Sequence, residues 1–491
     1  MYTPIIGLEI HVQLKTRSKV FCRCSTEEAE PNTNICPICL GYPGAMPNLN
    51  QEAVLQSIRM GLALGCKIAE ETNWDRKNYM YPDLFKGYQI SQLDDPVCGE
   101  GSLKVTVRDR KNYYAKENYI KNIGIFRAHL EEDTAKSIHE KTETLLDANK
   151  AGIPLLEIVS KPEMYTVDEA VSYAKTVRNI ARWFGISDCN LELGQMRFDA
   201  NVSICVDNIE LKGKTFEEWK GASYTPIVEI KNLNSFGNLQ EALDYEIKRQ
   251  IDVYAQTKEV YSHGAKETRG WDDTSKQTYT QRKKEEANEY RFIPEPDIPT
   301  VLISREEQEM VQEGMGKHPL EVREGLIKQG VSSQAADLLA SEISQYTIYQ
   351  KVVNSKLANE KVIANILTNQ LAPEIAELPD ATVEPWSTEL QKVADALAEG
   401  KISPNEFKEI IKNHTSGTID WNSLLQKALS EEKVDLRPLL EKAFGENTKV
   451  VEQIKSGKDS AKMFFVGIVM RETKGKANPD EVKKLIDDMI E

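Results

Sequence analysis

Two groups of residues in this 491-residue chain could do chemistry, and both begin near its start. In "GLEIHVQL" (7–14), Leu8, Ile10, Val12 and Leu14 alternate with Glu9, His11 and Gln13. A period of two makes this a strand with one apolar and one polar face, and Glu9 and His11 share the polar one. Other segments repeat the pattern. Arg127, His129, Glu131 and Asp133 share a parity in "RAHLEED", as do Asp199, Asn201 and Ser203 in "FDANVSI", and Glu229 and Lys231 in "IVEIKNL". Glu157 is a lone carboxylate between Leu155, Leu156, Ile158 and Val159, and if buried it needs a partner or a metal. Were these strands to join one sheet, their polar faces would form a floor able to hold Mg²⁺ through carboxylates and phosphates through Lys and Arg. The alternative is a set of solvated strand faces, with His129 and His139 at the surface.

The second group is Cys22, Cys24, Cys36 and Cys39, a C-x-C and a C-x-x-C separated by eleven residues. Two close pairs across a loop can wrap one tetrahedral ion, and four thiolates suit a structural Zn²⁺ with no open position. A redox-active C-x-x-C, or four thiols with no joint role, are the other readings. Cys66, Cys98, Cys189 and Cys205 are scattered and read as ordinary packing or surface thiols.

The elements that must position these residues divide the chain. Up to about residue 295, short alternating segments such as "SLKVTVRD" and "PLLEIVS" are interrupted by helical stretches at 50–65, 166–185 and 238–256. Thr166 is a natural N-cap, Asp168 and Glu169 suit a first turn, and Gly185 suits a stop. This irregular order indicates an α+β fold with a mixed or antiparallel sheet. The proline cluster "PEPDIP" (294–299) marks a boundary, beyond which Ala, Leu, Glu, Lys and Gln predominate and helices are expected. A softer boundary lies at "EGKISPNEF" (399–407). The expected domains are therefore 1–295, 296–402 and 403–491.

Formal net charge is −15, which argues against a protein coating DNA or RNA by bulk attraction. No run of about eighteen apolar residues predicts a membrane span, and the N-terminus lacks a basic signal region, so the expected location is the cytoplasm. There is no G-x-S-x-G and no P-loop; any ATP must bind without one.

Taken together, "IGLEIHVQL", "FCRCST", "NTNICPICLGYPGAMPNLN", "RKNYMYPDLFKGYQISQ", "HLEEDTAKS", "AGIPLLEIVSKP", "MRFDANVSI", "EIKNLNSF", "ETRGWDD", "EYRFIPEPDIP" and "FVGIVMRETKGKANP" resemble, nearly end to end, the B subunits of the aspartyl/glutamyl-tRNA amidotransferases. The resemblance implies a cradle domain of the glutamine synthetase and guanidino kinase type, then a helical domain and a helical tail that contacts tRNA. It implies ATP- and Mg²⁺-dependent phosphorylation of the side-chain carboxylate of misacylated Glu-tRNA(Gln) or Asp-tRNA(Asn). Ammonia from a glutaminase partner, the amidase or A chain, then forms the amide, and a small C chain completes the heterotrimer. On this resemblance Glu9, His11, Glu131 and Glu157 line the Mg²⁺ sites, Glu131 being preferred to Glu132 by parity. Lys231 joins the catalytic group, with Asp199, Asn201 and Glu229 as metal, phosphate or aminoacyl contacts. Lys77, Asn78, Tyr81 and Asp83 form a substrate or nucleotide loop, and zinc is structural. "QRKK" (281–284) and "KGKANP" (474–479) are local basic stretches for tRNA. The chain departs from the family pattern at Lys150, where Arg is usual, and at Phe85, Cys98 and Ile293. Rival readings are a stand-alone amide ligase acting on a free amino acid, and a zinc-bearing tRNA scaffold without catalysis.

Overall fold

The computed structural model describes residues 2–108, 117–262, 266–284, 290–353, 360–369, 435–456, 459–473 and 479–490, with isolated positions at 392, 395, 396, 401, 402, 426 and 477. Two compact units divide the chain, Met1–Glu321 and Val322–Glu491.

In the first unit the strands run β1 (Thr3–Gln13), β2 (Glu71–Thr72), β3 (Asp75–Asn78), β4 (Tyr88–Ser91), β5 (Gly101–Arg108), β6 (Glu117–Glu132), β7 (Lys136–His139) and β8 (Thr144–Asp147). They continue with β9 (Pro154–Ser160), β10 (Met196–Cys205), β11 (Ile227–Leu233), β12 (Lys266–Asp272), β13 (Gln277–Lys284), β14 (Phe292–Pro294) and β15 (Val301–Leu302). Eight of them form one mixed sheet in the order β13-β12-β11-β10-β1-β9-β6-β5. Its pairings are antiparallel except β11 with β12, which is parallel. A three-stranded sheet, β14-β3-β4, stands apart.

The alternation in β1 decides how the main sheet is covered. Ile6, Leu8, Ile10 and Val12 are buried in the core beside α1 (Gln51–Ala63), α2 (Val167–Trp183) and α4 (Phe236–Thr257), with α3 (Phe216–Trp219) a single turn between the last two. In α2 the Thr166 side chain caps the Glu169 N–H, and Ala170, Tyr173, Ala174, Val177, Ile180 and Ala181 make a buried stripe at helical spacing. Helix α4 starts two residues before the expected 238, because Ser235 is its cap and its hydroxyl accepts from Asn238 N–H. It ends at Lys258 in the left-handed region (φ 56°). With the apolar faces of the strands turned toward these helices, Glu9 and His11 are left on the other face.

Among its described residues the second unit has helices and no strand, for example over Ser333–Leu339, Leu436–Glu446, Lys462–Glu472 and Pro479–Ile490. Leu440, Phe465, Val469, Val482 and Ile486 form one of its cores. No helix among the described residues is long and apolar enough to cross a membrane. The expected boundary at 402/403 falls at the edge of the described residues, and most of "KGKANP" and the side chains of Arg282, Lys283 and Lys284 lie outside them.

Candidate active site

Strand register builds the site row by row. On β1, His11 lies opposite Glu157 of β9 and Arg197 of β10. On β9, Glu157 in turn lies opposite His129 of β6. One row thus crosses four strands as Arg197, His11, Glu157, His129. The adjoining row pairs Glu9 with Asp199, and the next pairs Asn201 with Glu229 and Glu229 with Thr268. Glu131, two residues along from His129, completes the floor. Between Phe198 and Ala200 the β10–β11 register slips, Leu233 and Ile230 being their respective partners. The bulge holds Asn232 in the left-handed region (φ 67°) immediately after Lys231.

In the first cluster His11 Nε2 is 3.3 Å and His129 Nε2 3.4 Å from the same Glu157 oxygen, and His129 Nε2 is 3.6 Å from Glu131. Ser91 Oγ donates to Glu131 at 3.0 Å. Burial opposes a proton on either imidazole, but the Glu157 carboxylate overrides it. His11 is raised above its ordinary value and His129 is pushed up to about 9. Burial likewise opposes charge on Glu157, yet the two imidazoles hold it well below the usual carboxylate range. The Nδ1 atoms of His11 and His129 are buried without a hydrogen-bond partner. Ligand atoms of His11, Glu131 and Glu157 lie within 4.8 Å of one another. A divalent cation would replace the bridging protons, and this set of carboxylate oxygens and imidazole nitrogen fits one.

Glu9, Asp199 and Glu229 form a second cluster on the same scale. Burial raises Glu9, and the carboxylates of Glu157, Glu229 and Asp199 add to it, against the Lys266 ammonium. Asn201 donates to Glu9 at 2.9 Å, while its own Oδ1 is buried without a partner. Lys231 lies 3.1 Å from Asp199 and 3.2 Å from Glu229. Burial disfavours its charge, but those two carboxylates raise it on balance. Lys266 lies 3.4 Å from Glu229 as well, so three acids face two ammoniums, and the remaining negative charge suits a cation.

Beside Arg197 stands a third arrangement. Asp133 is buried and ion-paired to Arg197 at 3.3 Å and to Lys150 at 3.2 Å. Burial opposes its charge, but the two cations keep its carboxyl below the ordinary range.

The four cysteines meet in one place, with Cys22 and Cys39 buried and Cys24 and Cys36 half-buried. All four are free thiols whose Sγ atoms lie within 4.8 Å of one another. A Zn–S length of about 2.3 Å implies tetrahedral S···S edges of about 3.8 Å, and Cys36 and Cys39 are 3.9 Å apart. Hydrogen bonding from Cys22, with the nearby Lys19 ammonium, lowers Cys39 to about 4, whereas burial raises Cys24 to about 11. Four thiols converging on one point fit a closed zinc site.

The family model described as "GatB/GatE catalytic domain" matches residues 4–309, and "GatB domain" matches 347–490. Proteins named as the B subunit of aspartyl/glutamyl-tRNA(Asn/Gln) amidotransferase are similar over their whole length. That of Rhodopirellula baltica is 38% identical, covering 99% of this chain and 97% of its own. That of Thermoanaerobacter pseudethanolicus is 37% identical over 99% and 98%. That of Crocosphaera subtropica is 38% identical over 100% and 98%. The chain belongs to this amidotransferase B-subunit family.

Within this family member, the strand residues expected at the site all reach one floor: Glu9, His11, Glu131, Glu157, Asp199, Asn201, Glu229 and Lys231. Parity separates Glu131 from Glu132, which is ion-paired to Lys86 and accepts from Ile90 N–H at 2.9 Å. The loop residues are less uniform. Lys77 helps hold Glu131 down and sits 5.0 Å over the Tyr290 ring. Asp83 has a buried, unpartnered Oδ1. Asn78 is tied to the carbonyls of Arg76 and Arg291, and Tyr81 is 67% exposed.

The sequence left His129 open between the floor and the surface, and it did not single out Arg197. His129 is buried at the centre of the first cluster, while His139 is exposed on the β7–β8 hairpin. Parity with Glu131 was the available signal, and only pairing with Glu157 gives it weight. Arg197 shares the parity of Asp199 and Asn201, a signal that was available, whereas its pairing with Asp133, 64 residues away, leaves no local mark. Of the departures from the family pattern, Lys150 is held by Asp133, and Cys98 is a buried thiol donating to the Ser57 carbonyl at 3.3 Å. Phe85 and Ile293 are exposed.

Proposed function

We propose that this chain is the kinase and transamidase component of a glutamine-hydrolysing, tRNA-dependent amidotransferase. It works with an amidase partner (the A chain) and a small C chain. With ATP it phosphorylates the side-chain carboxylate of misacylated Glu-tRNA(Gln), Asp-tRNA(Asn) or both, and ammonia from the amidase displaces the phosphate. The observation that carries this reading is the row of Arg197, His11, Glu157 and His129 beside the Glu9–Asp199–Glu229 trio. Membership of the amidotransferase family supports it.

The chemistry explains the layout. A carboxylate oxygen is a poor leaving group, so the γ-phosphoryl group must first move from ATP to that oxygen, releasing ADP. Ammonia then attacks the acyl carbon, the C–O bond breaks, and phosphate departs with the electron pair while nitrogen loses a proton. Glu9, His11, Glu131 and Glu157 would hold Mg²⁺, with Asp199 and Glu229 beside them. Bound there, Mg²⁺ supplies charge neutralisation on the phosphates. Lys231 at one end of the floor offers a cation to the transferring group, and Arg197 with Lys150 at the other offer cations to the phosphates of the bound nucleotide. Asn201 orients Glu9 through its 2.9 Å hydrogen bond. Lys77, Asn78, Tyr81 and Asp83 lie on the β3 side, where nucleotide or aminoacyl end would enter.

The reading carries the finer architecture with it: a cradle over 1–295 of the glutamine synthetase and guanidino kinase type with a structural zinc loop at 22–39, a helical domain over 296–402, and a tRNA-contacting tail over 403–491. The test is ADP release by the protein reconstituted with its amidase and small partner chains, with and without Glu-tRNA and Asp-tRNA, beside His11→Ala. Release that needs charged tRNA and falls at least about 10²-fold in the variant is expected. Release with free glutamate alone would indicate a small-molecule ligase. No release with tRNA still bound would leave a scaffold.

A further inference from the structure

The cysteine loop does not end at its four sulfurs. From residues 19–34 a dense set of hydrogen bonds runs to the segment 146–152. Lys19 is fully buried, and its ammonium bridges Cys39 Sγ at 3.7 Å and the Ala148 carbonyl at 3.2 Å. Asn32, at φ 62°, accepts from Ala148 N–H at 2.8 Å and donates from Nδ2 to the Leu146 carbonyl at 3.1 Å. Its own N–H donates to Asp147 at 3.1 Å. Asn149 reaches back, donating to the Glu30 carbonyl at 2.8 Å and accepting from Asn34 N–H at 2.8 Å. Val20 N–H donates to the Gly152 carbonyl at 2.9 Å.

The segment held in this way presents Lys150, whose ammonium lies on Asp133. Gly152 N–H donates to the Asp133 carbonyl at 2.9 Å, so the same segment also fixes the Asp133 backbone. The other side of Asp133 holds Arg197, the strand neighbour of His11. Outside glycine the left-handed region is uncommon, and asparagine enters it more readily than most residues. Here both ends of the Asn32 amide are engaged with the partner segment.

We propose that the cysteine loop is a positioning device for the cationic end of the active site. Metal held by Cys22, Cys24, Cys36 and Cys39 fixes the loop's shape. Lys19, Asn32 and Asn149 are positioning residues that transmit that shape to the 146–152 segment, and so set Lys150 on Asp133 beside Arg197. This rests on the reading of Lys150 and Arg197 as the phosphate-facing cations. The four thiols then matter to nucleotide binding although none of them touches it.

The test uses the assembled enzyme and three readouts: metal content per chain, amide hydrogen exchange over 146–152, and the KM for ATP against kcat. Asn149→Ala deletes the reciprocal contacts and leaves all four cysteines in place. It is expected to retain its metal, to exchange at least about tenfold faster over 146–152, and to raise the KM for ATP about tenfold with kcat nearly unchanged. That is the loss of one or two net hydrogen bonds. Stripping the metal from the unmodified enzyme with a chelator should do the same, and stripping Asn149→Ala should add little. Asn32→Gly keeps the left-handed backbone, deletes two of the contacts and should reproduce the effect if Asn149→Ala does not fold. Unchanged exchange over 146–152 in the stripped enzyme or in both variants overturns the proposal, as does faster exchange with an unchanged KM. If the unmodified enzyme releases no ADP at all, the functional reading fails instead, and the exchange measurement still decides the coupling.

Discussion

The main sheet carries buried charge on both faces, and the two faces treat it differently. On the helix side Glu246 of α4 is fully buried with its carboxylate saturated. It accepts from Arg249 at 2.6 and 2.9 Å, from Gln250 at 3.1 Å and from Thr278 at 2.9 Å, with Arg269 at 3.7 Å. Arg269 in turn donates to Glu267, Thr278 and Thr280. On the floor, Glu9 sits among Asp199 and Glu229, two imidazoles share one oxygen of Glu157, and polar atoms of His11, His129 and Asn201 have no partner. Satisfied charge is what a structure needs to close; carboxylates in excess of the ammoniums beside them are what a cation and its phosphates need in order to bind. Burial alone therefore does not mark the active site. Between the Glu246 carboxylate and the Glu9 trio, the completeness of pairing is what differs.

Two substitutions of the same chemical size should separate the faces most sharply. Glu157→Gln removes the counter-charge of both imidazoles, and ADP release should fall by about 10²–10³-fold or more, the scale of losing a main electrostatic group. Its urea midpoint should fall less than that of Glu246→Gln, because the freed imidazoles can shed their protons whereas guanidinium groups cannot. Glu246→Gln should do the reverse. It leaves the Arg249 and Arg269 guanidinium groups against a neutral amide, costing about 3–5 kcal/mol in stability, while KM and kcat of the folded protein stay within about twofold. An inactive but stable Glu246→Gln would break the comparison.

A smaller effect tests the sign of the strain. Burial and neighbouring carboxylates raise Glu9, so the metal-free protein is working against that charge. Glu9→Gln should stabilise the metal-free chain by about 0.5–1 kcal/mol, as removing functional strain commonly does, while abolishing turnover. A lower melting temperature without Mg²⁺ would show that Glu9 holds the sheet together.

Much of this was legible one strand at a time. Period-two alternation places Glu9 and His11, or Asp199 and Asn201, on one face without any knowledge of neighbours. What joins them is register, and register is set by partners far away. His129 looks like any polar strand residue until Glu157, 28 residues on, is placed opposite it. The parallel β11–β12 pairing and the bulge after Lys231 left no local mark in "IVEIKNLNSF". Asp133, Lys150 and Arg197 come from a strand's end, a turn and another strand, and only the folded chain shows one carboxylate serving two cations. The cysteine spacing was legible because C-x-C and C-x-x-C are local knuckles. Their link to 146–152 was not, because it runs through backbone carbonyls and asparagine side chains, which carry no spacing rule.

The smallest predicted effect concerns a histidine of the opposite kind. His318 donates from Nε2 to the Ala63 carbonyl at 3.0 Å, and its Nδ1 accepts from Leu320 N–H at 3.2 Å. Both ring nitrogens are used by the neutral form, and burial lowers the group below its ordinary value. A proton on Nδ1 would remove the acceptor that Leu320 needs. The sign follows directly: the unfolded chain takes up this proton more readily than the folded one. The stability that His318 contributes is therefore full above an unfolded pKa of about 6.5 and is lost as pH falls below it. The loss should approach the value of one hydrogen bond, about 1 kcal/mol. In urea unfolding from pH 7.5 to 5, His318→Gln should flatten the acid-side decline by that amount relative to the unmodified chain. His11 and His129 are raised rather than lowered, so their protonation favours the folded metal-free state over the same range. A steeper acid-side decline in His318→Gln would mean that this ring is held charged, and that full pairing does not distinguish it from the two on the floor.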